Sequence, residues 1–387
     1  MIKGSTWLRM VASLAVIALL VTACSSGGAT TAPSAEASAP AASEPAASEP
    51  AASAAASYSI GYSNGGGVGN GFREEQVCTA KAEALASGQV SELTTIHRNT
   101  DAAGQLQDIR DLIANDVDAI VFNPNDPDAL NPALAEAKAA GIITVSVDAY
   151  VNDPDTYNLY NNQVKYAELG ATWLFEQLGG KGTVYYMRGI AGHPADSDRD
   201  IGFKNALANY PDIKIVPNED GVATGWDPAV GTQLANDFIA SGQYDTIQGI
   251  WTSGIDSQVV DAIKAANKSY VPIVGADLGA LVGQLLNPTD YADLTGAAVT
   301  NTAAVGGAGI ALALKLLRGE SVTTAGDRPN TVLLDPVVAE NVTDDGKALL
   351  ASWQVDGLDP LWPLGLQIEG YTTYTPEQAV ACKGPGE

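Results

Sequence analysis

Cationic side chains are scarce in this 387-residue sequence. Twenty Lys and Arg stand against 45 Asp and Glu, the formal net charge is −25, and there are two histidines. Binding to nucleic acid needs clustered cations that neutralise phosphates, so this balance excludes nucleic acid as a partner. Long apolar runs are lacking as well. The apolar run at 10–21 is shorter than the roughly 20 residues that a membrane-spanning helix needs.

The first residues have the pattern of an export signal. Lys3 and Arg9 form a basic start before the apolar run, which is typical of a signal peptide over residues 1–23. The sequence "VTAC" that ends at Cys24 resembles the lipobox of bacterial lipoproteins. This resemblance implies that Cys24 is lipidated and becomes the mature N-terminus. The alternative is an ordinary signal peptide in which Cys24 is incidental.

Large side chains are absent from the next segment. Residues 25–57 contain no aromatic and no large aliphatic residue, and "AASEP" is repeated at 41–50. Such a segment cannot bury enough apolar surface to offset its chain entropy. We therefore predict that residues 24–57 form a disordered Ala/Ser/Pro/Glu tether between the membrane anchor and a folded body.

Cysteine is rare, and the three cysteines are far apart. With Cys24 lipidated, Cys78 and Cys382 remain, one near each end of the folded part. In an exported protein a remaining pair commonly forms a disulfide, which is what we expect here. The alternative is two separately buried thiols.

From residue 58 onward short β-rich runs alternate with helical stretches. This order predicts an α/β fold with two open parallel-sheet lobes, joined by a hinge that the chain crosses several times. The predicted N-terminal lobe comprises residues 58–160 and about 301–328. The predicted C-terminal lobe comprises residues 161–300 and about 329–340. Residues 341–387 are an extension to which no fold is assigned.

The glycine-rich stretch "GYSNGGGVGNGFREE" raises the possibility of a phosphate site. Its glycines do not have the G-x-G-x-x-G spacing of a dinucleotide loop, and Gly-Lys-Ser/Thr is absent. His97 and His193 are the only imidazoles that could act as a general base. No EF-hand spacing is present. We therefore predict a protein that is not an enzyme and needs neither cofactor nor metal.

Several local sequences point to one family. These are "FNPNDPDAL" with "AKAAGIITVSVD", "GIAGHPADSDRDIGF", "ATGWD", "IVGAD" and "GNGFR". They resemble segments of the type I periplasmic sugar-binding proteins, the ribose and glucose/galactose-binding family of ABC importers. The resemblance implies a monomeric receptor, exported and lipid-anchored at the outer face of the cell membrane or in the periplasm. It also implies a monosaccharide ligand and, as partners, permease and ATPase subunits.

Ligands of open parallel sheets bind beyond the carboxyl ends of the strands. This rule and the resemblance together give the candidate ligand-binding residues. They are Asn64, Asn70, Phe72, Arg73, Asp148, Asn162, His193, Arg199, Trp226, Ser253, Asp256, Asp277, Thr300 and Asn301.

Two departures from the family pattern leave the ligand open. Ala149 follows Asp148 where ribose-type members carry arginine, and Ala195 stands where the glucose/galactose pattern has an aspartate. The sugar is therefore a pentose, a hexose or a related polyol, and the sequence does not choose between Thr300 and Asn301. The alternative function is a receptor of the same fold for a signalling molecule or another small polar solute.

Overall fold

The structure is a computed structural model that describes residues 57–325 and 328–387. The predicted signal peptide, Cys24 and almost all of the tether lie outside the described residues. Within the described ranges, every helix is too short or too polar to cross a bilayer.

Five parallel strands build most of the first lobe. They are β1 (Tyr58–Asn64), β2 (Val90–His97), β3 (Ala119–Asn123), β4 (Ile143–Val147) and β5 (Tyr157–Asn161). Val121, Val145 and other apolar residues of these strands are fully buried. Burial on both faces is expected where helices cover a parallel sheet.

The second lobe contains the next six strands. They are β6 (Lys181–Arg188), β7 (Asp212–Val216), β8 (Val222–Ala223), β9 (Gly249–Trp251), β10 (Ile273–Ala276) and β11 (Gly296–Val299). All of these strands pair in parallel, and β8 pairs only with the end of β6. Tyr186 and Phe203 stack at 3.9 Å between ring centroids in the core of this lobe.

The last two strands join different sheets. Strand β12 (Thr331–Leu334) pairs with β5 in the first lobe, and β13 (Val338–Glu340) pairs antiparallel with β11 in the second. The sheet orders are therefore β12-β5-β4-β3-β1-β2 and β13-β11-β10-β9-β6-β7. The prediction that residues 329–340 belong entirely to the C-terminal lobe is wrong for β12, because its backbone completes the edge of the first sheet before the chain crosses back.

Helices cover both faces of each sheet. They are α1 (Gly71–Ala86), α2 (Ala102–Ala114), α3 (Asn131–Ala139), α4 (Gln163–Gln177), α5 (Pro194–Leu207), α6 (Pro228–Ala240), α7 (Asp256–Ala265), α8 (Gly279–Leu285) and α9 (Val305–Leu317), with a short 3-10 helix at Gln243–Thr246. Helices α1 and α9 pack on one face of the first sheet, and α2 and α3 on the other. Helices α4 and α5 cover one face of the second sheet, and α6 to α8 the other.

Residues 341–387, the C-terminal segment, run from the second lobe to the first. Helix α10 (Asp344–Ser352) places Leu350 in the core of the second lobe. Helix α11 (Pro376–Ala381) lies against α1, and Tyr374 is fully buried there with Ala82. A disulfide joins Cys78 in α1 to Cys382. The structure therefore has the expected pair bonded rather than as two separate thiols.

The disulfide closes a chain segment with a sequence separation of 304 residues. In the chain-entropy model a loop of this length contributes roughly 6 kcal/mol to the free energy of unfolding. We expect the Cys78→Ser/Cys382→Ser variant to lose stability on that scale in denaturant unfolding. Reduction of the wild-type protein should produce the same loss. Recovery of Cys78 as a free thiol in a non-reducing peptide map would contradict the bond.

Candidate functional site

A cavity of about 530 Å³ lies where the carboxyl ends of the two sheets face each other. Its wall includes residues that follow strands β1 to β4 of the first lobe and strands β6 and β8 to β11 of the second. The polar and aromatic members are Asn70, Phe72, Arg73, Asn99, Asn125, Asp148, His193, Arg199, Trp226, Asp227, Ser253 and Asn301. This position agrees with the rule that ligands of parallel sheets bind at strand carboxyl ends.

Arg73 is the buried cation on the first-lobe side of the cavity. It lies in the first turn of α1, where the side chain of Asn70 accepts a hydrogen bond from the Arg73 backbone N–H and caps the helix. Arg73 Nη1 donates to Asn64 Oδ1 at 3.0 Å. Burial lowers the pKa of Arg73, although Asp148 acts in the opposite direction. Asn64 therefore fixes the arginine that lines the cavity and does not line it itself.

Asp148 provides the carboxylate on the same side. It follows β4, and its backbone has a φ of 67°, in the left-handed region. Asn123 Nδ2 donates to Asp148 Oδ2 at 3.0 Å. Burial raises the pKa of Asp148, while the positive charge of Arg73 lowers it. A carboxylate in this position can accept hydrogen bonds from the hydroxyl groups of a ligand.

Arg199 is the corresponding cation on the second-lobe side. Its Nε donates to Gln163 Oε1 at 2.7 Å, and Gln163 Nε2 donates to Asn301 Oδ1 at 3.0 Å. The guanidinium carbon lies 4.3 Å from the ring centroid of Tyr166. These contacts orient the guanidinium and leave its terminal Nη groups without a protein acceptor among the described residues.

His193 is a buried imidazole near Arg73 and Arg199. It is the N-cap of α5, and its Nδ1 accepts from the Ala195 backbone N–H at 3.2 Å. Burial, followed by the charges of Arg73 and Arg199, lowers the pKa of His193 to about 3. The ring is therefore neutral, so only one of its two nitrogens carries a proton. Nε2 lies 3.3 Å from Arg73 Nη2.

Trp226 is the largest aromatic side chain of the cavity wall. Its backbone has a φ of 52°, and its ring lies so close to Gly189 that a Cβ at that position would come within 2.0 Å of Trp226 Cε2. The absence of a side chain at Gly189 thus allows the indole to occupy its place. Trp226 Nε1 donates to Ser253 Oγ at 3.4 Å, and the His193 ring meets the indole edge-on at 5.3 Å.

The structure brings nine of the fourteen candidate residues to the cavity wall. They are Asn70, Phe72, Arg73, Asp148, His193, Arg199, Trp226, Ser253 and Asn301. Asn301 rather than Thr300 lies at the wall, because the Thr300 hydroxyl accepts from the Val337 backbone N–H at 2.8 Å.

The other candidates hold neighbouring backbone or side chains. Asn162 caps α4 and donates to Asp335 Oδ1 at 3.0 Å. Asp256 accepts from the backbone N–H groups of Gly254 and Ala276, each at 3.0 Å. Because these bonds use both of its carboxylate oxygens, Asp256 positions the loop that follows β9.

Asp277 is also buried behind the wall. Its Oδ1 accepts from the Asn301 backbone N–H at 2.9 Å, and its Oδ2 has no hydrogen-bond partner among the described residues. Burial raises the pKa of Asp277 to about 6. Asp277 therefore positions Asn301 in this structure.

Several cavity residues were not among the candidates. Asn99 and Asn125 follow strands β2 and β3, so the strand-end rule could have found them. Leu361 and Pro363 belong to the C-terminal segment. No sequence signal connects these two residues with the strand ends, because the segment has no predicted fold.

The ionisable groups of the cavity wall are balanced in charge. Arg73 and Arg199 are matched in number by Asp148 and Asp227. A charged ligand would disturb this balance beside the buried groups Arg73, Asp148 and Arg199, where uncompensated charge is expensive. The arrangement therefore favours a neutral ligand with several hydroxyl groups and an apolar face.

Comparison with known proteins identifies the family. The model of the periplasmic binding protein domain matches residues 60–321. The chain belongs to this family. The xylitol-binding protein of Mycolicibacterium smegmatis is 31% identical over 245 residues, which cover 62% of this chain and 68% of the relative. The ribose import binding protein of Bacillus subtilis is 25% identical over 185 residues, 47% of this chain and 58% of the relative.

Solved structures share the fold. A solute binding protein of an ABC transporter from Thermobispora bispora has a TM-score of 0.68 at 23% identity, covering 84% of this chain and 94% of that protein. One from Mycobacterium smegmatis with bound glycerol has a TM-score of 0.65 at 24% identity, covering 79% and 99%. The assignment to the type I periplasmic sugar-binding proteins and the two-lobed α/β fold are thereby confirmed.

Burial of neutral His193 predicts a specific loss of stability in acid. Its pKa is 6.5 in an unperturbed chain and about 3 in the folded protein. Between these values the unfolded chain takes up a proton that the folded protein does not, so the folded state loses stability as the pH falls. At pH 5 the loss relative to pH 7.5 is about 2 kcal/mol from this residue.

The His193→Gln variant isolates this contribution in denaturant unfolding. Its decrease in unfolding free energy between pH 7.5 and pH 5 should be about 2 kcal/mol smaller than that of the wild type. Asn99→Ala changes the same cavity without removing a titrating group and should retain the wild-type pH dependence. Equal decreases in His193→Gln and wild type would contradict a neutral buried ring.

Proposed function

We propose that this protein is the substrate-binding component of an ABC importer for a neutral monosaccharide or sugar alcohol. The cavity between the lobes carries this proposal, because it combines two oriented guanidinium groups, a carboxylate, amides and two aromatic rings. The family consists of transport solute-binding proteins, so binding and delivery take the place of catalysis.

The polar groups of the cavity complement adjacent hydroxyl groups. Asp148 accepts hydrogen bonds from ligand hydroxyls, while Arg199 donates with its free Nη groups. Arg73 Nη2 and His193 Nε2 lie 3.3 Å apart, and both residues line the cavity. A ligand oxygen beside them accepts from the guanidinium, and also from the imidazole where Nε2 carries the proton.

The aromatic residues complement the carbon skeleton. Phe72 comes from the first lobe and Trp226 from the second, and both line the cavity. Their flat apolar surfaces suit the C–H-rich face of a ring or an extended polyol. A ligand with hydroxyls on its edge and carbon on its face uses both kinds of group.

Closure of the two lobes couples binding to transport. Asn70 Nδ2 in the first lobe donates to the Trp226 carbonyl of the second at 3.3 Å, so this contact belongs to the closed form. A ligand bound between the lobes contacts both and stabilises that form by its differential affinity. The closed protein then presents the ligand to the permease, and the ATPase drives release into the transporter.

Arg199 is the residue on which ligand binding should depend most. We expect Arg199→Ala to weaken binding about a hundredfold or more, since it removes charge-assisted hydrogen bonds worth about 3 kcal/mol together. Isothermal titration and ligand-induced shifts in Tm measure this against xylitol, D-ribose, L-arabinose, D-galactose, D-fucose and myo-inositol. Arg199→Lys keeps the charge but not the planar fork and should also bind weakly.

Arg110→Ala is the matched control. Arg110 is an exposed arginine on α2 that pairs with Glu136 at 2.7 Å, away from the cavity. It should leave the affinity unchanged. Unchanged affinity in Arg199→Ala would make Arg199 peripheral, and a wild-type protein that responds to none of the sugars would overturn the proposed function.

We further propose that the protein is exported, anchored through a lipid on Cys24, and functions as a monomer. The proposed lipobox and the tether composition support this location. Cys24→Ser should therefore move the protein from the membrane fraction to the soluble fraction of the producing bacterium. A wild-type protein whose N-terminal peptide carries an unmodified Cys24 in mass spectrometry would contradict the anchor.

A further inference from the structure

The C-terminal segment contributes to the wall of the ligand cavity. Leu361 and Pro363 line the cavity together with residues of both lobes. The backbone around them is fastened to the second lobe, because Gly279 N–H donates to the Trp362 carbonyl at 3.0 Å and Leu364 N–H donates to the Asp277 carbonyl at 3.0 Å. Leu278 and Pro363 form an isolated antiparallel bridge.

This part of the segment also contacts the first lobe. A Cβ at Gly71, the first residue of α1, would come within 2.2 Å of the Leu361 carbonyl oxygen and 2.7 Å of its carbon. The Leu361 backbone therefore approaches α1 as closely as a glycine allows. Gly71 belongs to the glycine-rich stretch that follows β1, so the contact lies directly beside Phe72 and Arg73 of the cavity.

The segment presents an apolar surface to the cavity. Leu361 N–H donates to Asp359 Oδ1 at 2.8 Å, and Trp362 N–H donates to the Asp359 carbonyl at 2.9 Å. Pro363 has no N–H, and neither Leu361 nor Pro363 has a polar side-chain atom. A ligand hydroxyl that contacts these two side chains finds no hydrogen-bond partner on them.

We propose that Leu361 and Pro363 are specificity-determining residues of the ligand site. They select ligands that direct carbon rather than hydroxyl toward the C-terminal segment, and they exclude ligands too large for the closed cavity. On the side of the first lobe, Gly71 packs against the Leu361 backbone and supports it. This inference rests on the proposed function, since it concerns the choice among neutral sugars and sugar alcohols.

The test compares dissociation constants of several variants over the six probes named above. Leu361→Gln keeps a similar side-chain length and adds an amide, so the rank order of the probes should change. Leu361→Ala enlarges the cavity, and we expect affinity for the best wild-type probe to fall roughly tenfold through lost apolar contact. Binding of larger probes should fall less.

Val380→Gln and Val380→Ala are the matched controls. Val380 is an exposed residue of α11 in the same segment and does not line the cavity. Both control variants should preserve the rank order of the probes and the wild-type dissociation constants within about twofold.

A second measurement does not depend on a ligand. Gly71→Ala should increase hydrogen–deuterium exchange of the amides at residues 361–364, because the new Cβ displaces the Leu361 backbone. Gly283→Ala is the control, since a Cβ there has no neighbour within 4 Å. Unchanged exchange at residues 361–364 in Gly71→Ala would show that the first lobe does not support this part of the segment.

The outcomes separate this inference from the proposed function. If the wild type binds a probe and Leu361→Gln leaves every dissociation constant unchanged, or multiplies all of them by one factor, Leu361 does not determine specificity while the proposed function stands. If the wild type binds no probe, the proposed function fails and the inference fails with it. The inference is supported if the rank order of the probes changes in Leu361→Gln and stays the same in the Val380 control variants.

Discussion

The burial of two guanidinium groups is the constraint on which the site depends. A buried cation is strongly destabilising unless polar groups compensate its charge. In the first lobe Arg73 bonds to Asn64, and a chain of amides through Gln76 and Asn123 continues to Asp148. These residues come from β1, α1, β3 and the end of β4. The network therefore fixes the cavity floor and the neighbouring strand ends together.

The second lobe compensates its buried guanidinium group through a separate set of hydrogen bonds. Arg199 bonds to Gln163, Gln163 to Asn301, and the Asn301 backbone to Asp277. Closure brings the two guanidinium groups to one cavity with neutral His193. A ligand with acceptor oxygens that contacts groups of both lobes therefore stabilises the closed form by its differential affinity.

Strand ends were predictable from the sequence, but the direction of each side chain was not. The alternation of strands and helices located Asp148, His193, Ser253 and Asn301 near one another, because parallel strands end at one edge. Asp256 also follows a strand, yet backbone N–H groups of its own loop take up its carboxylate. Whether the N–H groups of a loop take up a carboxylate depends on the backbone geometry, which a residue pattern does not show. The short run of β12 likewise fits either sheet, and only the tertiary arrangement decides its partner.

The C-terminal segment was unpredictable for a different reason, since irregular structure has no periodicity. It crosses between the lobes at Gly365. The Gly365 carbonyl accepts a hydrogen bond from the Thr302 hydroxyl, which lies beside another crossing of the chain, the one before α9. Glu83 of α1 accepts from Thr373 at 2.6 Å, and the disulfide closes the end. Opening must therefore bend the segment near Gly365, because both sides are fastened to different lobes. Fewer open conformations remain available, so less conformational entropy is lost when a ligand closes the site.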